Sequence, residues 1–270
     1  MDQKQYERRI LEPAEALERH GLCSIISLGQ YCTDQAGEAI ALVNTASPTS
    51  LVTSCHHGNE IHATYSTIFD IIEKESLEGV FVPVIDVLGF CETWDALEKE
   101  KSEISVYSSV KNSAYMTRKP AWSYGTGKEG IIGSIEDTIS QVDCIVDLHN
   151  WIDSSYLFIH KFPEAIVKPE QYLEDLSFMD SIGSILAENR EPLYSGSQPM
   201  LRSRELGPGL YECMISNKNI VNYAASLGKK ALAVEVPVFE PGLKFKDFCK
   251  LADTNVEIIK AFTQGGNRYV

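Results

Sequence analysis

The chain is short of several things, and each shortage narrows what it can be. No apolar run approaches the roughly 20 residues needed to cross a bilayer, so no membrane partner is expected. The segment Met1 to Arg9 is charged and lacks the apolar centre of a signal peptide. Basic residues are scarce, 24 Lys and Arg against 38 Asp and Glu, for a net charge of −14. A surface this acidic does not track a phosphate backbone, so nucleic acid is not an expected partner. The seven cysteines show no CxxC spacing and are odd in number, the pattern of reduced, buried thiols in a cytoplasmic protein. Internal repeats, low-complexity stretches and linkers are missing too, which favours one domain over residues 1–270.

What the sequence does contain is a normal core: 44% of its 270 residues are hydrophobic, enough to bury a substantial interior. Residues 5–20, 61–73, 93–101, 134–141, 169–189, 217–227 and 245–262 have helical composition or spacing, with Pro13 starting or kinking the first helix. Residues 22–28, 39–44, 51–55, 79–86, 142–149, 156–160 and 230–237 are β-like. Residues 102–130 and 191–209 have no sustained period and read as irregular. Strands alternate with helices, so the expected fold class is α/β: a three-layer, mixed and mostly parallel sheet covered by helices.

Three of the strands end in unusual chemistry. The run Leu51 to Cys55 breaks into His56-His57-Gly58-Asn59-Glu60, where His57 and Glu60 can reach one point. The run from Val142 ends at Asp147-Leu148-His149-Asn150. The run from Lys230 carries Glu235 among Ala231, Leu232, Ala233, Val234 and Val236, where an ionisable group is costly without a partner. Ligands in open α/β sheets sit outside the carboxyl ends of strands. Two imidazoles and a carboxylate form the ligand set of a catalytic zinc, and a nearby carboxylate can act as general base. Each residue also has a plainer reading. Glu60 suits a helix N-terminus in any case, His56 competes with His57 as ligand, and Glu240 competes with Glu235 as base. Asp86, Asp147 and Asp153 are candidate carboxylate partners for the histidines, or simply surface and capping groups. Cys55 beside two histidines is a buried strand end rather than a nucleophile.

In order and placement, His57-Gly58-Asn59-Glu60, then Asp147-Leu148-His149-Asn150, then Glu235 resemble the zinc carboxypeptidase superfamily. The spelling of the first motif, and the separation of 89 positions from Glu60 to His149, are closest to its succinylglutamate desuccinylase/aspartoacylase group. The resemblance implies a carboxypeptidase-like fold. It also implies one Zn²⁺ held by His57, Glu60 and His149, with Glu235 as general base. The activity it implies is hydrolysis of an amide in a small carboxylate-bearing molecule, such as an N-acyl amino acid. Removal of a C-terminal residue from a peptide, or binding without catalysis, are the other readings. Two departures stand out. The family's Asp-Leu-Asn-Arg segment, which holds a substrate carboxylate, has only Met116-Thr117-Arg118 as its nearest match. The deacylases continue into a β-domain after the catalytic glutamate, whereas here one helical pattern follows Glu235, as in carboxypeptidase catalytic domains. Arg118, Arg202 and Arg204 are the candidate clamps for a substrate carboxylate, and Tyr211 is a candidate for a carboxypeptidase-like tyrosine. The substrate is a small molecule or peptide, and the sequence leaves the oligomeric state open.

Overall fold

A computed structural model describes residues 4–29, 38–58, 60–74, 77–99, 130–151, 153–161, 176–196, 203–213, 219–240 and 244–264. The irregular stretch expected at 102–130 lies almost wholly outside them. The chain opens with helical residues throughout Lys4–Arg19: α1 (Lys4–Tyr6), a π-helical turn (Glu7–Leu11) and α2 (Glu12–Arg19). Pro13 sits in the first turn of α2, as expected of a proline near a helix start. It has no N–H to donate and crowds the preceding turn, and the chain responds just before it with a wider turn in which Glu12 N–H donates to Glu7 O.

Strands β1 (Ser24–Gly29), β2 (Ala39–Val43), β3 (Ser50–Ser54), β4 (Val80–Val82), β5 (Cys144–Trp151), β6 (Leu157–Lys161), β7 (Ser203–Gly207), β8 (Leu210–Cys213) and β9 (Lys230–Pro237) form one sheet. Their order is β1-β2-β4-β3-β5-β9-β6-β8-β7. The four central strands, β4, β3, β5 and β9, run parallel; on the flanks the pairs β1–β2, β2–β4, β9–β6 and β8–β7 are antiparallel and β6–β8 is parallel. The sheet is therefore mixed around a parallel centre. That centre is legible in sequence because strands covered on both faces are apolar on both faces. Leu51, Val52, Ile145, Val146, Leu148, Leu232 and Val234 are all fully buried.

The remaining helices are α3 (Thr64–Lys74), α4 (Val87–Lys99), α5 (Gly130–Gln141), α6 (Phe178–Asn189), α7 (Ile220–Ser226) and α8 (Phe248–Gln264). From β3 the chain crosses through α3 to β4 on one side, and later arrives at β5 on the other. Right-handed crossovers in opposite directions place their helices on opposite faces. The gap between β3 and β5 is thus a topological switch point. Helix α8 packs on α3 and α6. It begins at Phe248 rather than Phe245, because the Asp247 carboxylate accepts from Lys250 N–H at 2.8 Å and sets the start. The β7–β8 hairpin occupies part of the stretch expected to be irregular. Short, polar edge strands give little apolar alternation to read. Among the described residues, no helix is long and apolar enough to cross a membrane.

Candidate metal centre

Strand β3 delivers the loop 55–63, and β5 lies beside it in parallel register, Ser54 opposite Leu148. The first motif and His149 therefore meet at the switch point, where α/β sheets place ligands. His57 Nδ1 contacts Glu60 Oε1. His149 Nδ1 lies 3.1 and 3.0 Å from the two oxygens of the same carboxylate. A nitrogen or oxygen from each of His57, Glu60 and His149 falls within 4.8 Å of the others. Glu60 is buried, His57 and His149 partly so.

The other nitrogen of His149 is accounted for. Its Nε2 lies 2.7 Å from Asp147 Oδ2, and Asp147 reaches it because residues two apart on a strand share a face. Asp147 Oδ1 accepts from Thr53 Oγ1 at 2.7 Å and lies 2.9 Å from His56 Nδ1. With the Nε2–H of His149 held by Asp147, Nδ1 is the nitrogen left facing Glu60, and a metal bound there would take the place of the Nδ1 proton. His56 stacks nearly parallel to His149, ring centres 5.7 Å apart. His56, Asp147 and His149 make a second cluster of possible ligands, but Asp147 already accepts from Thr53 there. The first cluster, with two Nδ1 atoms converging on one buried carboxylate, is the better cation site.

The electrostatics agree. Burial alone would raise the Glu60 carboxyl, but His149 and His57 beside it bring it down to about 2. Asp147, equally buried, is held well below the ordinary range by His149 and His56. Burial disfavours a charged His149, yet Asp147 and Glu60 raise its pKa well above the usual value. Two buried carboxylates draw positive charge to their midst, and buried charge of this kind is tolerated only when paired. A divalent cation fits this donor set, and imidazole with carboxylate suits zinc.

Glu235 lies opposite His149 in the parallel β5–β9 register, one strand spacing away and on the same face. Burial pushes its carboxyl up to about 7, with Glu60 and Asp147 adding to the rise and His149 and His57 opposing it. Its rival Glu240, in the two-residue strand β10 (Phe239–Glu240), is exposed. Asp86 serves the ligand loop through its backbone. Its carboxylate accepts from Gly89 N–H at 2.9 Å and Gly58 N–H at 3.3 Å, tying the ligand loop to the start of α4. Asp153 instead bonds the backbone of Ser154 and Ser155. Cys55 is buried, and burial raises its thiol to about 12.

Of the four substrate candidates, two fall among the described residues. Arg118 and Arg202 lie outside the described residues. Arg204, on β7, is paired with Glu212. Tyr211 is buried on β8, its hydroxyl donating to Gly196 O at 3.2 Å and its ring meeting Tyr194 edge-on. Tyr194 in turn meets Trp151, two residues beyond His149, with ring centres 5.0 Å apart. Thr53 contributes to the site without having been singled out, and Gly58 and Asn150, read in sequence only as motif spelling, hold structural hydrogen bonds there. For Thr53 the only available signal was its place two residues before the strand end.

These features define a class: a sheet of carboxypeptidase type with a His-x-x-Glu turn and a later strand-end histidine at its switch point. Solved structures share that fold over nearly the whole chain. A metallopeptidase candidate from Shewanella amazonensis aligns with TM-score 0.63 at 14% identity, covering 96% of this chain and 93% of its own. A second, from Shewanella denitrificans, gives 0.61 at 13%, covering 96% and 90%. Carboxypeptidase A from Helicoverpa armigera gives 0.57 at 12%, covering 94% of this chain and 70% of the enzyme. No protein-family model matches the sequence, and no curated protein does. The chain therefore has the zinc carboxypeptidase fold.

Proposed function

We propose that the protein is a zinc-dependent hydrolase that cleaves an amide bond in a small, carboxylate-bearing substrate, an N-acyl amino acid being the type. The observation that carries this is the convergence of His57, Glu60 and His149 on one point, with Glu235 in register beside His149. In this reading His57, Glu60 and His149 hold one Zn²⁺, with Asp147 orienting His149. When bound, zinc supplies a Lewis acid that polarises a carbonyl and lowers the pKa of water.

Glu235 accepts a proton from the attacking water and returns it to the nitrogen of the leaving amine. A carboxyl pushed to about 7 by burial exchanges protons readily near neutral pH, and such a base contributes about 10²–10⁴ in rate. The substrate carboxylate is assigned to Arg118 or Arg202, since Glu212 occupies Arg204. Tyr211 borders the site through the Tyr194–Trp151 contacts rather than reaching the reacting bond.

A second reading, removal of a C-terminal residue from a peptide, is favoured by the carboxypeptidases among the structures of like fold. The test is a parallel panel of N-acyl amino acids and short peptides, run on the parent and on Glu235→Gln. The expected result is stoichiometric zinc in both proteins, with hydrolysis lost by about 10²–10⁴ in the variant. Full activity in a zinc-loaded Glu235→Gln would remove Glu235 as base. Parent protein without zinc or without activity on any amide would overturn the proposal, and a preference for peptides would select the second reading.

A further inference from the structure

The loop that carries His57 and Glu60 enters and leaves through left-handed backbone at two non-glycine residues, Cys55 (φ 50°) and Ala63 (φ 59°). Such conformations persist where their surroundings over-determine them. Asp86 holds the early part of the loop, and Asn255 Nδ2 donates to Ala63 O at 3.2 Å at its end. The third restraint differs in kind. The Asn150 side chain brackets one residue of the loop: its Oδ1 accepts from His62 N–H at 2.7 Å, and its Nδ2 donates to His62 O at 2.9 Å. The same Nδ2 also donates to Val236 O at 3.3 Å.

The positions of these partners matter. His62 follows Glu60 by two residues, Asn150 follows His149, and Val236 follows Glu235. One amide group therefore ties together the three chain segments that bring Glu60, His149 and Glu235 to the site. Asparagine suits the task because it offers an acceptor and two donors on one planar group. Residues adjacent on a strand point to opposite faces, so the amide braces the site from behind while His149 faces it. We propose that Asn150 is a positioning residue of the metal centre, fixing the ligand loop against β5 and β9 so that Glu60, His149 and Glu235 keep their relative places.

This inference rests on the metal-site reading above, and its test is read on the metal itself. Zinc affinity is measured by chelator competition, and cobalt(II) is loaded as a spectroscopic reporter of ligand geometry. Asn150→Ala should bind zinc about 10-fold more weakly and shift the visible spectrum of the cobalt form. Asn150→Asp keeps the acceptor for His62 N–H but lacks both donors. It should fall between parent and alanine variant, and it carries the test if the alanine variant does not fold. Asn44→Ala is the control: it deletes a bracketing amide remote from the site, whose Nδ2 donates to Leu77 O at 2.7 Å and whose Oδ1 accepts from Gly79 N–H at 2.8 Å. It should lower the melting temperature without moving zinc affinity or the cobalt spectrum. Asn150 variants with parental zinc affinity and spectrum would overturn the proposal, as would a control that changes both equally. If the parent takes up neither metal, the metal-centre reading falls along with this one; if the parent binds and the variants match it, only this one falls.

Discussion

Gly58→Ala is the perturbation that most directly probes how the site is built. A Cβ placed on Gly58 would lie 2.1 Å from the carbonyl carbon of Gly89, 2.3 Å from its Cα and 2.3 Å from Phe90 N. All three are backbone atoms at the start of α4, so no side chain can rotate away. That backbone is also pinned: Gly89 N–H bonds Asp86 Oδ1 at 2.9 Å, and Phe90 N–H bonds Asp86 O at 2.9 Å. Relief of the overlap therefore falls on the loop, which must retreat on the order of 1 Å, beyond the ~0.5 Å tolerance of a functional constellation.

His57 and Glu60 flank Gly58 and move with it. The overpacking should cost about 1–3 kcal/mol, and at roughly 2–4 °C per kcal/mol for a chain near this size the melting temperature should fall measurably. A displacement of that order in a catalytic constellation costs about 10²-fold in activity. The matched control is Gly183→Ala on α6, where a new Cβ meets nothing within 4 Å. In a helix interior that change should stabilise by about 0.5–1 kcal/mol and leave zinc binding alone. Thermal melts and zinc titrations on both variants decide the matter. A Gly58→Ala protein with parental stability and zinc affinity would refute the argument that the Gly58–Gly89 approach sets the ligand loop.

Two further expectations follow from the same geometry. Asp147→Asn removes the charge that orients His149 Nε2 and that Thr53 and His56 both approach. It should weaken zinc about 10–100-fold in a chelator competition, and unchanged affinity would show that His149 needs no such anchor. Native alkylation at pH 8 should separate the cysteines: burial pushes Cys55 and Cys144 to about 12 and Cys91 to about 11, so they stay protonated. Cys249 is exposed and should label before Cys55, Cys91 and Cys144 by mass spectrometry; rapid labelling of Cys55 before unfolding would contradict the burial of the loop.

The amino-acid sequence by itself determined the parallel centre of the sheet and the residues that end its strands. Strands buried on both faces must be apolar throughout, so Leu51 to Ser54, Cys144 to Leu148 and Ala231 to Val234 announce themselves. Glu235, directly after the last of these runs and before Val236, is as conspicuous as the histidines that follow the first two. Their order resembles that of the zinc carboxypeptidases, and the fold is of that type. Tertiary structure decided the rest. Which aspartate supports a ligand histidine depends on register, and only the pairing of β3 with β5 brings Thr53 and Asp147 together. Asp86, equally plausible on the sequence, instead holds backbone N–H groups of the loop and α4. The β7–β8 hairpin was hidden because edge strands carry polar residues. Gly58 and Asn150 were legible only as motif spelling, because a close backbone approach and a bracketing amide exist only once distant segments are packed. The sequence named the strand ends that carry His57, Glu60 and His149; the switch point between β3 and β5, through strand order and hydrogen-bond register, brought them to one place.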